Sequence, residues 1–90
     1  MGKPLFNLGF VTMTLGVKEL VLQGLNPSIY LERHRSGDWG DLDKFDQNEN
    51  WYSLENGHRL LSVYKTPFGT IWIVTEWNRS STTILLPEEY

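Results

Sequence analysis

Hydrophobic spacing in the first third of the chain predicts a strand followed by two helices. From Phe6 to Met13 large apolar residues alternate with other residues, which is typical of a β-strand. Thr14 favours a helix start. Asn26-Pro27 ends that helix and begins a second one, because Asn is a good N-cap and Pro suits the first helical position. The apolar stripe of the first helix comprises Val17, Leu20, Val21, Gly24 and Leu25, and that of the second comprises Tyr30, Leu31 and His34.

A third helix is predicted in the middle of the chain, with a more polar face. Asp38 or Asp41 can cap its start, and Gly57 stops it after Asn56. Its expected inner face carries Leu42, Phe45, Asp46, Glu49, Asn50 and Ser53. This stripe is unusually polar for a helix that packs on a core, so its side chains are candidates for a polar site.

The last third changes to the two-residue period of β-strands. Short turns at Pro67-Phe68-Gly69 and Asn78-Arg79-Ser80 separate three strand-like segments and predict an antiparallel meander. The segments are Arg59–Lys65, Thr70–Trp77 and Ser81–Leu86. The whole pattern predicts an α+β fold. One N-terminal strand and three short helices precede the meander, and the helices pack on one face of a four-stranded sheet.

Large apolar side chains occupy both faces of the middle strand of this meander. Ile71, Ile73 and Trp77 share one face, and Trp72 and Val74 share the other. Since the helices cover one face, the other would expose Trp or Val unless something packs on it. We therefore expect a homodimer. The candidate core or interface aromatics are Trp39, Trp72 and Trp77.

Length and composition bound the class of protein. Ninety residues with 40% hydrophobic and 21% charged residues are typical of one globular domain, spanning residues 1–90. The absence of cysteine excludes disulfide frameworks and zinc–thiolate sites. A net charge of −3 offers no basic groove for nucleic acid. No apolar run is long enough to span a membrane and no secretory leader is recognisable, so we expect a cytoplasmic protein.

Four motifs between Pro27 and Tyr90 carry a resemblance to a known group of proteins. They are R-H-x-S-G-D-W-G-x-L from Arg33, D-x-x-x-N from Asp46, G-x-R-x-L-S-x-Y from Gly57, and W-I-x-T-E-x-x-R-S-x-T-T-x-L-L-P-E-E-Y from Trp72. In these motifs the chain resembles small proteins of unknown function carried on plasmids and mobile gene cassettes of Gram-negative bacteria. The resemblance implies an accessory protein of a mobile element, and it implies no catalytic residue.

Seven polar residues form the main candidate site. His34 lies on the inner stripe of the second helix, near enough in sequence to Asp38 for that carboxylate to orient it. Asp46 and Asn50 lie four residues apart and so share one helix face. Two interpretations stay open: a pocket for a small ligand, and a hydrogen-bonded network that fixes the third helix on the sheet. The full set is His34, Asp38, Asp46, Asn50, Arg59, Glu76 and Arg79.

Acidic residues are concentrated between Asp38 and Glu49. Residues 46–50 imitate the first half of a calcium loop, but Trp51 and Gly57 stand where Gly and Glu are required, so we expect no metal. No nucleotide-binding motif occurs, and we expect no cofactor. Carboxylates spaced like DNA phosphates would suit a host DNA-binding enzyme, whereas a solvated helix start is the structural alternative. The candidate acidic interaction surface comprises Asp41, Asp43 and Glu49.

Together these patterns predict a non-enzymatic, dimeric protein-binding module of a mobile element. Its candidate partners are a second copy of itself and a host protein. Two alternative functions stay open. One is an inhibitor of restriction or another host defence that acts through the acidic segment. The other is a small-ligand binder or weak hydrolase that uses the polar set.

Overall fold

The computed structural model describes residues 3–90, which form strands, helices and one 3₁₀ helix. The strands are β1 (Phe10–Met13), β2 (Leu60–Thr66), β3 (Gly69–Thr75) and β4 (Ser81–Leu85). The helices are α1 (Leu15–Gln23), α2 (Pro27–Arg35) and α3 (Lys44–Asn56), and the 3₁₀ helix is Pro87–Glu89. The predicted α+β class, with three helices and a four-stranded sheet, is confirmed for these residues.

The strands form one mixed sheet in the order β1-β4-β3-β2. β2, β3 and β4 pair antiparallel through short turns, as the meander predicts. β1 instead lies parallel to β4, with Phe10 beside Ser81 and Met13 beside Ile84. The two edges of the sheet are therefore β1 and β2, and the antiparallel pattern describes only part of the sheet.

β1 begins later than the alternation predicts because of Gly9. This residue adopts a positive φ of 67°, which interrupts the extended backbone. A side chain here would overlap the Ser80 carbonyl, so the position requires glycine. The residues before it contact α2 instead: Leu5 N–H donates to Arg35 C=O at 2.7 Å.

Local capping signals place several helix ends where the sequence predicts them. Thr14 Oγ1 accepts from Val17 N–H at 3.3 Å and begins α1. Asn26 Oδ1 accepts from Ser28 N–H at 3.1 Å and begins α2. Gly57 ends α3 in the left-handed conformation, with a φ of 69°. These boundaries depend on residues only a few positions apart.

The start of α3 differs from the prediction. Asp43 is its N-cap, because Asp43 Oδ1 accepts from Asp46 N–H at 2.8 Å. The predicted caps, Asp38 and Asp41, accept backbone hydrogen bonds outside α3. Three carboxylates in this segment were equally suitable by residue type, and the path of the loop decided between them.

The core lies between one face of the sheet and the helices α1 and α2. Its cluster of buried residues comprises Val17, Leu25, Tyr64, Ile71, Ile73 and Ile84. Side chains of Tyr30 and Leu31 from α2 pack against this cluster, as their place on the predicted stripe indicates. His34, the third residue of that stripe, is also fully buried on this side.

α3 packs against the outer edge of β2, which corrects the prediction that all helices cover one face. Asn50 is the buried residue of α3, and its side chain binds the backbone of Leu61. Phe45 and Glu49, which were predicted to face inward, are exposed to solvent. The inner face is polar because an edge strand presents N–H and C=O groups, which an amide side chain satisfies and an apolar one does not.

The second face of the sheet is partly covered by the end of the chain. The Tyr90 ring lies 5.3 Å from the Trp72 ring, edge to face. Val74 and Leu85 are only 6% exposed. The sequence predicted that Trp or Val on this face would be exposed unless something packed on it, and the residues that follow β4 fold back over Val74. Trp77 follows β3 and is exposed.

Candidate functional site

The seven polar residues predicted to form one site lie at separate places. His34 is in the core, Asp38 in the loop after α2, Asp46 on the surface of α3, Asn50 at the edge of β2, and Arg59, Glu76 and Arg79 around the start of β2 and the end of β3. Within residues 3–90, the one ion pair among them joins Arg59 to Glu76, with an N–O distance of 3.5 Å. A single pocket or network built from this set is therefore absent from the described chain.

His34 is fully buried and hydrogen-bonded at both ring nitrogens. Its Nδ1 lies 2.6 Å from Ser62 Oγ, and its Nε2 lies 2.9 Å from Thr75 Oγ1. Thr75 Oγ1 lies 2.7 Å from Thr82 Oγ1, and the Thr82 hydroxyl donates to Leu8 C=O at 2.7 Å. A continuous polar chain thus crosses the core from β2 to the segment before β1.

The direction of these hydrogen bonds follows from the carbonyl at one end. A carbonyl only accepts, so the single hydroxyl proton of Thr82 is given to Leu8. Thr75 then donates to Thr82 and accepts from His34 Nε2–H. Nδ1 is left to accept from the Ser62 hydroxyl. The network therefore assigns the neutral imidazole with its proton on Nε2.

The environment of His34 keeps the ring neutral. Burial, and to a smaller extent the positive charge of Arg79, lowers the pKa of His34 from 6.5 to about 3. Ser62, Thr75 and Thr82 are buried as well. A Ser–His pair without access to solvent has no substrate to act on. This row of hydrogen-bonded side chains is therefore a structural element that specifies how the core packs.

Sequence reasoning missed the two hydroxyl partners of His34, Ser62 and Thr75. Ser62 lies between Leu60 and Tyr64 on the buried side of β2, and Thr75 follows Ile71 and Ile73 on the buried side of β3. The signal for this network was a small polar residue at a strand position where the alternation predicts an apolar one. Such a residue needs a buried partner.

Asp38 pairs with Arg33 rather than with His34. Arg33 Nε lies 2.7 Å from Asp38 Oδ2, and this hydrogen bond lowers the pKa of Asp38. The same guanidinium lies 4.7 Å from the centre of the Tyr64 ring. The Tyr64 hydroxyl donates to Asp38 C=O at 2.6 Å. These contacts hold the loop after α2 against the sheet.

Trp39 is a core residue at the centre of an aromatic cluster. Its ring lies 6.3 Å from Phe6 in a stacked arrangement, and 5.8 Å from His34 and 5.3 Å from Trp51 edge to face. It is 2% exposed, and its Nε1 has no hydrogen-bond partner among residues 3–90. This tryptophan therefore shields the buried His34 chain and is not part of an exposed platform.

Five outward backbone groups of β2 are hydrogen-bonded although β2 is an edge strand. The Asn50 side chain binds both groups of Leu61. The backbone of residues 39–41 binds Val63 N–H at 3.2 Å and Val63 C=O at 2.7 Å. A carboxylate in the same loop accepts from Lys65 N–H at 2.8 Å. This edge is closed to any further strand.

Arg79 links four backbone carbonyls from three parts of the chain. Its guanidinium donates to the carbonyls of Ser53 at 3.1 Å, His58 at 2.6 Å, Glu76 at 3.1 Å and Trp77 at 3.2 Å. Its backbone has a positive φ of 59°, an uncommon conformation for a residue with a side chain. Arg79 therefore ties the end of α3 to the turn between β3 and β4.

A cavity of about 270 Å³ lies on the second face of the sheet, beside the end of the chain. Val74 and Leu85 provide apolar contacts within it. At its rim Arg59 Nη1 donates to the Tyr90 hydroxyl at 2.9 Å. The remaining lining residues are Glu76, Thr83 and Glu89. The arrangement suits a small ligand with an apolar part and a polar group.

The three residues of the candidate acidic surface have different roles. Asp41 accepts from the backbone of β2, and Asp43 caps α3. Glu49 is exposed and takes part in none of the ion pairs found in residues 3–90. A groove of about 430 Å³ lies next to it on the outer face of α3. Its lining residues are Phe45, Asn48, Glu49 and Tyr52.

No group of three or more His, Asp or Glu side chains in residues 3–90 is arranged to hold a metal ion. In the same range no helix has the length and apolar character needed to cross a membrane. We found no family model, curated protein or solved structure that matches the chain.

Proposed function

We propose that this protein is a non-enzymatic protein-binding module whose docking surface is the outer face of α3. The observation that carries the proposal is the exposure of two aromatic residues on that face. Phe45 and Tyr52 lie two helical turns apart and are 71% and 58% exposed. Aromatic residues are enriched at protein interfaces because they bury much area at a small cost in side-chain entropy.

The charge around these rings favours a basic partner. Residues 41–55 contain five carboxylates and one lysine, a formal charge of −4, whereas the whole chain carries −3. Asp46, Glu49 and Glu55 are exposed and belong to none of the ion pairs of the described residues. A segment that places an apolar side chain in the groove and Lys or Arg beside it complements this face.

An enzymatic role for the polar set has less support. Its histidine is buried in a chain of hydroxyl groups, and its carboxylates are scattered over the surface and the loops. General acid–base chemistry needs groups that reach a substrate together. We therefore propose a binding function without catalysis, and the proposed partner is a host protein of the cytoplasm.

Inhibition of a host DNA-binding enzyme is the narrower form of this proposal, with carboxylates in the place of phosphates. Asp41 and Asp43 each accept a backbone hydrogen bond, so only part of their charge faces outward. The aromatic pair supports contact with a protein surface that is both apolar and basic. A general docking role is therefore the better supported form.

Paired variants on two helices test the proposal. Phe45→Ser with Tyr52→Ser removes the α3 rings. Leu15→Ser with Leu22→Ser is the matched control, because these residues are also two turns apart on α1 and are 79% and 84% exposed. We expect the immobilised protein to capture a bacterial protein that the α3 variant loses and the α1 variant keeps. Glu49→Gln with Glu55→Gln should weaken the same capture. Capture that is unaffected by Phe45→Ser with Tyr52→Ser would contradict the proposal.

A second candidate function is the binding of a small amphipathic ligand in the cavity beside Tyr90. The specific observation is that Arg59, a cation, stands at the rim of a partly apolar cavity of about 270 Å³. Octanoate is a suitable probe, since its carboxylate can pair with Arg59. Binding should shift the amide resonances of Thr83 and Leu85, and Arg59→Gln should abolish these shifts. Octanol, which lacks the charge, is the control ligand.

A further inference from the structure

The described residues cover the outer edge of β2 but leave the outer edge of β1 open. At β2 the loop 39–41 and the Asn50 side chain occupy the outward backbone groups. At β1 the inward groups bind β4, since Phe10 N–H donates to Ser80 C=O at 3.0 Å and Thr14 N–H donates to Ile84 C=O at 3.1 Å. Residues 10, 12 and 14 therefore face β4, and residues 11 and 13 face away from it.

No described residue covers the outer edge of β1. The N–H and C=O groups of Val11 and Met13 have no hydrogen-bond partner within residues 3–90. Phe10 is 73% exposed and Val11 is 38% exposed, on opposite faces of the sheet. β1 itself contains no proline, lysine or other charged residue, which are the usual devices that protect an edge strand.

We infer that β1 pairs with β1 of a second copy of this chain, antiparallel and about a two-fold axis. The register is set by which groups are free. Val11 pairs with the partner's Met13, and Met13 pairs with the partner's Val11, so that each pair exchanges N–H and C=O groups. Thr12 then lies opposite the partner's Thr12 at the axis. Every outward backbone group of both strands is satisfied, and two sheets become one.

The charge distribution favours a second copy at this edge. Leu8 to Thr14 contains no charged residue, so two identical strands can meet here without placing like charges together. The acidic segment 41–55 lies along β2, at the opposite edge of the sheet. Joining two chains through β1 therefore places the acidic segments at the outer ends of the combined sheet, where their repulsion is weakest.

The apolar side chains around β1 also become covered in this arrangement. Val11 packs against the partner's Met13 on the face that carries the core, and Phe10 meets the partner's Thr14 on the other face. This places the interface at the edge of the sheet and not on its second face, where the end of the chain already covers Val74 and Leu85.

Light scattering coupled to gel filtration tests the inference. The wild-type chain should elute with about twice the 10.5 kDa of the monomer at tens to hundreds of micromolar protein. Val11→Pro removes an outward N–H that no described residue uses, and proline is tolerated at such edge positions. This variant should be monomeric with an unchanged circular dichroism spectrum. Ile29→Ser, which removes an exposed apolar side chain from α2, is the control and should remain dimeric.

Amide hydrogen exchange of the wild-type chain locates the interface without any variant. The amides of Val11 and Met13 should exchange rapidly at low concentration and slowly in the dimer, while that of Thr12 stays protected at both concentrations. A wild-type chain that stays monomeric throughout the concentration range would overturn the inference. It would do so even where a peptide from another protein pairs with the open edge of β1. A dimer in which Val11 and Met13 exchange freely, or a folded Val11→Pro variant that stays dimeric, would overturn it too.

Discussion

Asn50 binds Leu61 through both of the backbone polar groups that Leu61 turns away from the sheet. Asn50 Nδ2 donates to Leu61 C=O at 2.6 Å, and Asn50 Oδ1 accepts from Leu61 N–H at 3.1 Å. An asparagine side chain carries the same amide donor and acceptor as a peptide group, so it takes the place of a neighbouring strand. α3 is thereby fixed to the edge of the sheet, and that edge is closed.

Replacing this side chain should destabilise the protein. Asn50→Ala leaves two partly buried backbone groups without partners, and we expect a loss of about 1–3 kcal/mol in the free energy of unfolding. Asn56→Ala is the matched control, because Asn56 is exposed on the same helix and should change stability by about 0.5 kcal/mol or less. Urea denaturation measures both, and equal effects of the two substitutions would contradict the role assigned to Asn50.

The buried His34 predicts a pH dependence of stability. Its pKa is about 3 in the folded protein and 6.5 as its ordinary value, so between these limits the unfolded chain binds the extra proton. The contribution is complete above pH 6.5 and is lost as the pH falls, by at most about 1.4 kcal/mol per pH unit. Denaturation at pH 7 and pH 5 measures it. His34→Gln should show a smaller difference between the two pH values than the wild type, and His58→Gln should not.

Arg79 should be more sensitive than another arginine to a change that keeps its charge. Arg79→Lys cannot reach four carbonyls with one ammonium group, and leaving some of them unpaired should cost about 1–3 kcal/mol of unfolding free energy. Arg59→Lys is the control, because Arg59 forms an exposed ion pair with Glu76 and should contribute less than about 1 kcal/mol. Similar losses for the two variants would show that the carbonyl contacts of Arg79 do not stabilise the fold.

Glu89 should hold the end of the chain on the start of α1. Its Oε1 accepts from the Thr14 hydroxyl at 2.6 Å and from Leu86 N–H at 2.8 Å, and its Oε2 accepts from Gly16 N–H at 3.2 Å. These hydrogen bonds lower the pKa of Glu89, the one from Thr14 most strongly. Their stabilising effect is present above the ordinary carboxyl pKa and is lost as the pH falls.

Amide exchange at Gly16 measures the effect of Glu89. Glu89→Ala should lower the protection factor of this amide at neutral pH. Acidification of the wild type should lower the protection factor as well, once the slower intrinsic exchange at low pH is divided out. Glu88→Ala, at the exposed neighbouring position, should leave the exchange rate unchanged. Equal rates in the wild type and in Glu89→Ala would contradict the contact.

Structural features that depend on residues a few positions apart could be predicted from the sequence. Thr14 and Asn26 cap α1 and α2 because each side chain meets a backbone N–H two or three residues away. Gly57 ends α3 because only glycine adopts a left-handed backbone without strain. The meander followed from two short turns between alternating segments. Three carboxylates could each have capped α3, and nothing local distinguished Asp43 from the other two.

The α+β class, most helix ends, the meander and the concentration of negative charge in one segment could be predicted, because these depend on neighbouring residues. Which distant residues meet depends on how the whole chain folds, and no local pattern predicts it. His34 meets Thr75 across 41 positions, and Thr82 meets Leu8 across 74. Such contacts depend on the order of the strands in the sheet. Residue type alone also allowed Asp38 as a hydrogen-bond partner for His34. The parallel placement of β1, the position of α3 at one edge and the open backbone at the other follow from the same cause.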